Sequence, residues 1–225
     1  SVVVLSEEKK NTFNPSNYII CIDPGHQTKG NNELEAIAPN SKQKKAKVTT
    51  GTRGVFTKKY ESELMLEIGL KLKDSLEKKG YKVIMTRTIN DVNISNIERA
   101  LFANKNKVTL YIRLHADGSE NKNTYGASVL ISSPKNKYTE KTQKESEKFS
   151  KILLEEYVKS TGAKNRGVIY RDDLTGTNWA EVTNTLIELG FMSNTEEDKK
   201  LSDEKYQEKI IEGLINGIEK YLKSN

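Results

Sequence analysis

Apolar residues are grouped along the chain into two alternating kinds of segment. Short β-rich runs are one kind: YIICID (18–23), YKVIMT (81–86), VTLYIRL (108–114), GASVLIS (126–132) and TLIEL (185–189), with a shorter GVIY (167–170) before the last. Segments with apolar residues three or four positions apart lie between them and predict helices. This alternation predicts a single α/β domain with a twisted, mostly parallel sheet flanked by helices on both faces.

The predicted helices are defined by apolar stripes, which we interpret as core faces. Leu64, Ile68, Leu72 and Leu76 predict a helix from about Tyr60 to Lys79 that ends at Gly80. A shorter helix is predicted after Asn194, with Glu197 three residues on completing its cap. The remaining stripes are Ile94, Ile97 and Leu101; Phe149, Ile152, Leu153 and Tyr157; and Ile210, Ile211, Leu214, Ile218 and Leu222.

The stretch from Gly30 to Phe56 has no clear period and is predicted to be a long loop. Loops of this length inside a domain are typically functional or disordered. Its cations are Lys42, Lys44, Lys45, Lys47 and Arg53. They are consistent with a groove for an anionic polymer and equally with a solvated loop.

Composition and charge narrow the classes of function. No composition break divides the 225 residues, so we take residues 1–17 as a polar N-terminal extension and residues 18–225 as one domain. The net charge of +6 favours polyanionic partners. We exclude nucleic acid, because the chain has no basic block interleaved with aromatic residues and no nucleic-acid motif. Cys21 is the only cysteine, which excludes an internal disulfide and a CxxC zinc knuckle.

The two histidines both follow predicted strands. His26 comes after YIICID and a PG turn, and His115 comes directly after VTLYIRL. The carboxyl ends of parallel strands share one edge of a sheet, where ligands bind in open α/β folds. Glu61, in the first turn of the helix that carries Leu64, faces the same edge. Two imidazoles and a carboxylate with an open fourth position are typical of a catalytic zinc, although each residue alone has a structural explanation.

Glu188 lies at the carboxyl end of the TLIEL strand, amid apolar residues. A carboxylate there is costly unless it has a partner or a shifted pKa. Beside a metal it would act as general base and acid in hydrolysis; a salt bridge to a basic residue is the alternative. The chain has no GxSxG, Walker, GxGxxG or HExxH motif and lacks the cysteine pair of a deaminase.

Five segments in this order resemble the zinc-dependent N-acetylmuramoyl-L-alanine amidases of the amidase 3 family. They are IDPGH, ESELMLEIGLKLKDSLEKKGYKVIMTR, NIERALFANK, YIRLHADG and TLIELGFMSN, which reach from residue 18 to the final helix. The resemblance implies one zinc ion per chain on His26, Glu61 and His115, with Glu188 as the catalytic residue. It also implies that residues 18–225, as the catalytic domain, cleave the amide between the lactyl group of N-acetylmuramic acid and L-alanine in peptidoglycan.

The chain departs from the family pattern at several positions. Gln27 and Thr28 stand where glycines are usual, Thr183 where a proline is common, and Arg113 where many members have serine. One hypothesis from these departures is weak metal binding without a helper protein. Arg113, Asn178 and Trp179 are candidate substrate contacts, although a core position is equally consistent with Trp179.

The long lysine-rich loop, the single domain and the TGTNW segment resemble the sporulation branch of the family, the spore-cortex amidases. This resemblance implies an exported protein that acts in the cell wall or spore cortex, with a possible protein partner for localisation and metal retention. Two other functions remain open. One is a zinc exopeptidase acting on stem peptides, and the other is a catalytically weak peptidoglycan-binding or scaffold module.

Overall fold

The computed structural model of the protein describes residues 12–225, so residues 1–11 of the predicted N-terminal extension lie outside it. The strands are β1 (Ile19–Pro24), β2 (Asn31–Ala36), β3 (Lys44–Val48), β4 (Lys82–Met85), β5 (Leu110–Asp117), β6 (Ala127–Ile131), β7 (Asn165–Tyr170) and β8 (Asn184–Phe191). The helices are α1 (Glu61–Lys78), α2 (Asn96–Lys105), α3 (Gln143–Thr161), α4 (Thr175–Trp179), α5 (Thr195–Leu201) and α6 (Glu204–Lys223). No helix among residues 12–225 is both long and apolar enough to cross a bilayer.

Six strands form one sheet in the order β4-β1-β5-β8-β6-β7. All neighbouring strands are parallel except β6 and β8, which are antiparallel. Helices pack on both faces, which confirms the predicted single α/β domain with a mostly parallel sheet. The carboxyl ends of β1, β5 and β8 are adjacent, so residues that follow these strands converge.

The apolar face of the sheet carries α1, α3 and α6. The α1 residues Leu64, Ile68, Leu72 and Leu76 are fully buried there, which confirms their predicted stripe. A glutamate three residues into α1 accepts a hydrogen bond from the backbone N–H that precedes the helix, and the chain turns after the helix at Gly80 with φ of +95°. The helix therefore runs almost over the predicted range.

The opposite face, which carries α2 and α4, has a small apolar cluster built from residues such as Cys21, Ala100 and Tyr111. The predicted core stripe of α2 is wrong at one position, since Leu101 is 45% exposed. The buried α2 residues are Arg99, Ala100 and Ala103. Arg99 is buried because its guanidinium has polar partners on the sheet, which apolar periodicity does not register.

The stretch from Gly30 to Phe56 is not a loop throughout, because β2 and β3 form an antiparallel hairpin within it. The hairpin has few buried apolar side chains, so its strands lack the alternation that predicts a half-buried strand. Tertiary hydrogen bonds hold it instead. Glu35 accepts from the N–H of Ile97 at 3.1 Å, and the indole Nε1 of Trp179 donates to the carbonyl of Ala36 at 2.8 Å.

Candidate active site

The turn after β1 places His26 against His115. His26 adopts φ of +64°, an uncommon conformation for a residue with a side chain. Gly25 allows the close approach, because a Cβ there would lie 2.4 Å from Cε1 of the His115 ring. The DPGH sequence thus brings the two predicted histidines to one edge of the sheet.

Three donor atoms converge at this edge. Glu61 Oε1 lies 3.1 Å from His26 Nε2 and 3.1 Å from His115 Nδ1, and the two nitrogens are 3.2 Å apart. Ligand atoms about 2.0–2.1 Å from a tetrahedral zinc ion are about 3.3 Å from one another. His26, Glu61 and His115 therefore fit the ligand set of one ion, as the sequence predicts.

The segment after β3 orients these side chains. His26 Nδ1 donates to the carbonyl of Thr49 at 2.8 Å, which leaves Nε2 free as a ligand. Glu61 accepts at Oε2 from the N–H of Thr52 at 2.9 Å and at Oε1 from the N–H of Ala116 at 3.1 Å. Sequence periodicity gave no indication of this supporting shell, because it is made by backbone groups.

Electrostatics favours the protonation states that bind a metal. Burial lowers the pKa of His115 to about 4, so its imidazole is neutral at pH 7. Burial alone would raise the pKa of Glu61, but hydrogen bonds and charge from His115 and His26 outweigh it and hold that pKa below its usual value. Neutral imidazole and ionised carboxylate are the metal-binding forms.

Glu188 on β8 is the register partner of His115 on β5. Burial, and then the charges of Glu61 and Asp117, raise the pKa of Glu188 well above its usual value. Its Oε2 is buried without a hydrogen-bond partner. No lysine, arginine or histidine of residues 12–225 forms a salt bridge with Glu188, so the alternative of a structural ion pair is not realised there.

Glu188 and the three candidate ligands line one cavity of about 950 Å³. Of the five cations predicted for a groove, Lys45 and Arg53 line it. Lys45 Nζ lies 2.6 Å from Asp173, which also binds the Arg171 guanidinium, so the hairpin is joined to the segment after β7 at the cavity wall. The arrangement is suited to metal-assisted hydrolysis.

The sequence matches the N-acetylmuramoyl-L-alanine amidase family, Amidase_3, over residues 20–220. The chain belongs to this amidase family. It is 25% identical to AmiC of Escherichia coli over 91% of its own length, and it spans about half (52%) of that relative.

Two solved structures support the amidase-family fold. Ami1 of Mycobacterium smegmatis superposes with a TM-score of 0.84 at 24% identity, over 95% of this chain and 100% of that one. CwlD of Clostridioides difficile, solved in complex with the GerS lipoprotein, gives a TM-score of 0.70 at 26% identity, over 93% and 100% of the two chains.

Two of the predicted substrate contacts, Asn178 and Trp179, lie outside the cavity. Asn178 is 3% exposed, accepts from Asn136 Nδ2 and donates to the carbonyl of Asp172, both at 2.9 Å. Trp179 packs in the small apolar cluster and binds the hairpin through Ala36. Neither lines the cavity; the residues just before them, Leu174 and Thr175, do. The α4 turn directs the two side chains away from the cavity.

Arg113, the third predicted substrate contact, does line the cavity.

Gln27, which stands where the family pattern usually has glycine, has a structural role. Gln27 is 1% exposed, and its Oε1 accepts from the N–H of Ile94 at 3.0 Å and from Arg99 at 3.1 Å. A side chain thus secures the turn after His26 where the family pattern has glycine.

Proposed function

We propose that this chain is a zinc-dependent N-acetylmuramoyl-L-alanine amidase. It hydrolyses the amide between the lactyl group of N-acetylmuramic acid and L-alanine in peptidoglycan. The observation that carries the proposal is the convergence of the donor atoms of His26, Glu61 and His115 within 3.2 Å of one another, in the cavity that holds the unpartnered Glu188 carboxylate. The family to which the chain belongs supports this activity.

Three residues would hold the metal ion, and the fourth would transfer protons. His26, Glu61 and His115 hold one zinc ion, which when bound polarises the amide carbonyl and lowers the pKa of water. Glu188 removes a proton from the attacking water and returns it to the leaving amine. A raised pKa suits this exchange, since the group must both accept and release a proton near neutral pH.

Metal content tests the ligand assignment. Elemental mass spectrometry of protein loaded with zinc and passed quickly through a desalting column is expected to give one zinc per chain in the wild type and none in His115→Ala. Lys42→Ala, at an exposed lysine in the turn between β2 and β3, is the matched control and retains the metal. Zinc retained in His115→Ala would contradict the site.

Product analysis tests the reaction. Purified peptidoglycan is digested and the fragments are identified by mass spectrometry. An amidase frees an L-alanine amino terminus and leaves the glycan strand intact. Release of other amino acids would indicate the exopeptidase, and no release by zinc-loaded protein would indicate the scaffold module.

The setting of the reaction is also part of the proposal. We infer that the chain acts outside the cytoplasm, in the cell wall or spore cortex, with a protein partner that helps it to localise and to retain zinc. The likeness to CwlD, which was solved with a lipoprotein, supports this setting. Zinc that stays with the isolated chain through prolonged dialysis would contradict the need for a helper in metal retention.

A further inference from the structure

The floor of the cavity has a second row of side chains beside the catalytic one. Arg113 on β5, Leu186 on β8 and Leu130 on β6 are register partners, and all three line the cavity. Arg113 and Leu186 each lie two residues before a member of the row formed by His115 and Glu188, so they share its face of the sheet. At about 3.3 Å per residue the two rows are about 6.6 Å apart.

Arg113 has hydrogen-bond donors without acceptors. Its side chain is 6% exposed, and neither Nε nor Nη1 has a partner. The nearby Asp23 Oδ2 is 3.5 Å from Nε, too long for a hydrogen bond. Asp23 is already bound by Thr86 Oγ1 at 2.6 Å, Tyr111 OH at 2.9 Å and Arg99 Nη1 at 3.1 Å. Arg113 is therefore a buried cation with donors left to offer.

The other buried arginines show that the fold usually satisfies such groups. Arg87 donates from Nε, Nη1 and Nη2, mostly to backbone carbonyls such as that of Pro24. Arg99 also donates from all three nitrogens. Buried donors without partners are costly and rare in native structures. The exception at Arg113 faces a cavity, where a ligand could supply the acceptors.

The start of α4 fixes the position of this guanidinium. A Cβ at Gly176 would lie 2.5 Å from Arg113 Cζ, so glycine lets the helix pack on the guanidinium without displacing it. Leu174 and Thr175 close the same end of the cavity. With Leu186 and Leu130 on the floor, this end combines a planar cation with three leucine side chains.

We propose that Arg113, Leu130, Leu174 and Leu186 form a carboxylate-binding subsite for the peptide side of the substrate. It takes the stem-peptide carboxylate nearest to the scissile amide, and it rests on the proposed amidase function. A guanidinium binds a carboxylate through two parallel N–H···O bonds. We assign the subsite to the peptide side of the substrate because the stem peptide supplies a carboxylate for the guanidinium.

An equilibrium experiment tests the subsite without turnover. N-Acetyl-L-alanyl-D-glutamate and its isoglutamine analogue, in which the carboxylate nearest to the acetyl amide is a carboxamide, are titrated into chelator-treated protein and followed by NMR, so that no metal competes for the carboxylate. The probe with the free carboxylate is expected to bind the wild type, and to bind the Arg113→Met variant about 10–100-fold more weakly. Equal binding of the two probes to the wild type, or unchanged carboxylate affinity in Arg113→Met, would overturn the proposal.

A kinetic experiment identifies the source of the carboxylate. N-Acetylmuramoyl-L-alanyl-D-glutamate is compared with the isoglutamine compound, in which the nearest carboxylate is an amide. The wild type is expected to show a KM about 10–100-fold lower for the free carboxylate than for the amide, and Arg113→Met is expected to lose this difference. Equal KM values in the wild type would overturn the peptide assignment. If the zinc-loaded wild type cleaves neither compound, the amidase proposal fails and the titration decides the subsite.

Two further variants separate recognition from folding. Arg113→Lys keeps the charge but not the planar fork, and Gly176→Ala keeps the arginine but displaces its guanidinium. Both are expected to lose the preference for N-acetyl-L-alanyl-D-glutamate over its isoglutamine analogue, with thermal melting confirming that they are folded. A folded Gly176→Ala protein with the full preference would contradict the role of the packed guanidinium. N-Acetylmuramic acid, the carboxylate of the glycan product, should bind more weakly than N-acetyl-L-alanyl-D-glutamate; tighter binding would assign the subsite to the glycan side.

Discussion

The two faces of the sheet are made from alternate residues of the same strands, yet they are built from different chemistry. On β1 and β5, Ile22 and Leu114 join the large apolar cluster under α1, α3 and α6. Their neighbours Asp23, Arg113 and His115 face the other side, where buried charges replace most of the apolar contacts. The apolar face therefore supplies most of the hydrophobic stabilisation. The polar face carries the candidate catalytic and metal-binding groups except Glu61, which the start of α1 brings to the edge of the sheet.

This division predicts that substitutions on the two faces have separable effects. A change on the apolar face should lower the free energy of unfolding and leave the metal and the chemistry intact. A change among the cavity residues should impair metal binding or catalysis and leave the free energy of unfolding almost unchanged. The predictions below test this separation, in order of expected effect.

Glu188→Gln is expected to have the largest effect. Loss of the general base and acid should reduce the rate of amide cleavage by about 10²–10⁴-fold. The unfolding free energy should not fall, because the substitution removes a buried carboxylate whose Oε2 has no partner. The measurements are muropeptide release, urea unfolding and zinc content. A rate within tenfold of the wild type, with zinc retained, would show that Glu188 is not the proton carrier.

Leu153→Ala tests the apolar face. Leu153 is fully buried and lies against Gly217 of α6, where an added Cβ would meet its Cα at 2.8 Å. The truncation should cost about 2–5 kcal/mol of unfolding free energy, measured by urea denaturation. Leu101→Ala is the matched control, because Leu101 is an exposed leucine on the other face and should change stability by less than about 0.5 kcal/mol. Loss of zinc from folded Leu153→Ala would contradict the separation of the faces.

Asp23→Asn tests the ion network under the polar face. Burial opposes ionisation of Asp23, but the charges of Arg99 and Arg113 and a hydrogen bond from Thr86 outweigh it and lower its pKa. The carboxylate should contribute about 1.5–3 kcal/mol at pH 7, the usual value of hydrogen bonds to a charged group. Urea unfolding of wild type and variant measures this difference.

The sign of the pH dependence follows from the lowered pKa. A depressed folded-state pKa gives stability that is complete above the unfolded value of about 3.9 and is lost as pH falls toward the folded one. The difference in unfolding free energy between the wild type and Asp23→Asn should therefore be constant from pH 7 to pH 5 and shrink below about pH 4. A difference that does not change down to pH 3 would show that the Asp23 charge does not contribute.

The sequence predicted the elements whose residues repeat with a clear period or stand at strand ends. The stripe of Leu64 and Ile68 located α1, and strand ends placed His26 and His115 together. The β2–β3 hairpin was not predicted because tertiary hydrogen bonds, and not an apolar pattern, stabilise it. The burial of Arg99 was not predicted because hydrophobic periodicity counts an arginine as polar. Backbone ligand support from Thr49 and Thr52 has no side-chain signature at all. Side-chain direction in the five-residue α4 was likewise inaccessible, so the sequence left Trp179 open between a substrate contact and a core position.

Trp179→Phe gives the smallest expected effect and tests whether Trp179 holds the hairpin or contacts substrate. It keeps an aromatic ring in the small apolar cluster but removes the hydrogen bond from Nε1 to the Ala36 carbonyl, at a cost of about 1 kcal/mol. Because this bond holds the hairpin that leads to Thr49, amide hydrogen exchange should accelerate within residues 31–48, while the KM for peptidoglycan fragments stays close to that of the wild type. A raised KM with unchanged amide hydrogen exchange would instead show that Trp179 contacts the substrate. The substrate-binding surface would then extend beyond the cavity to α4.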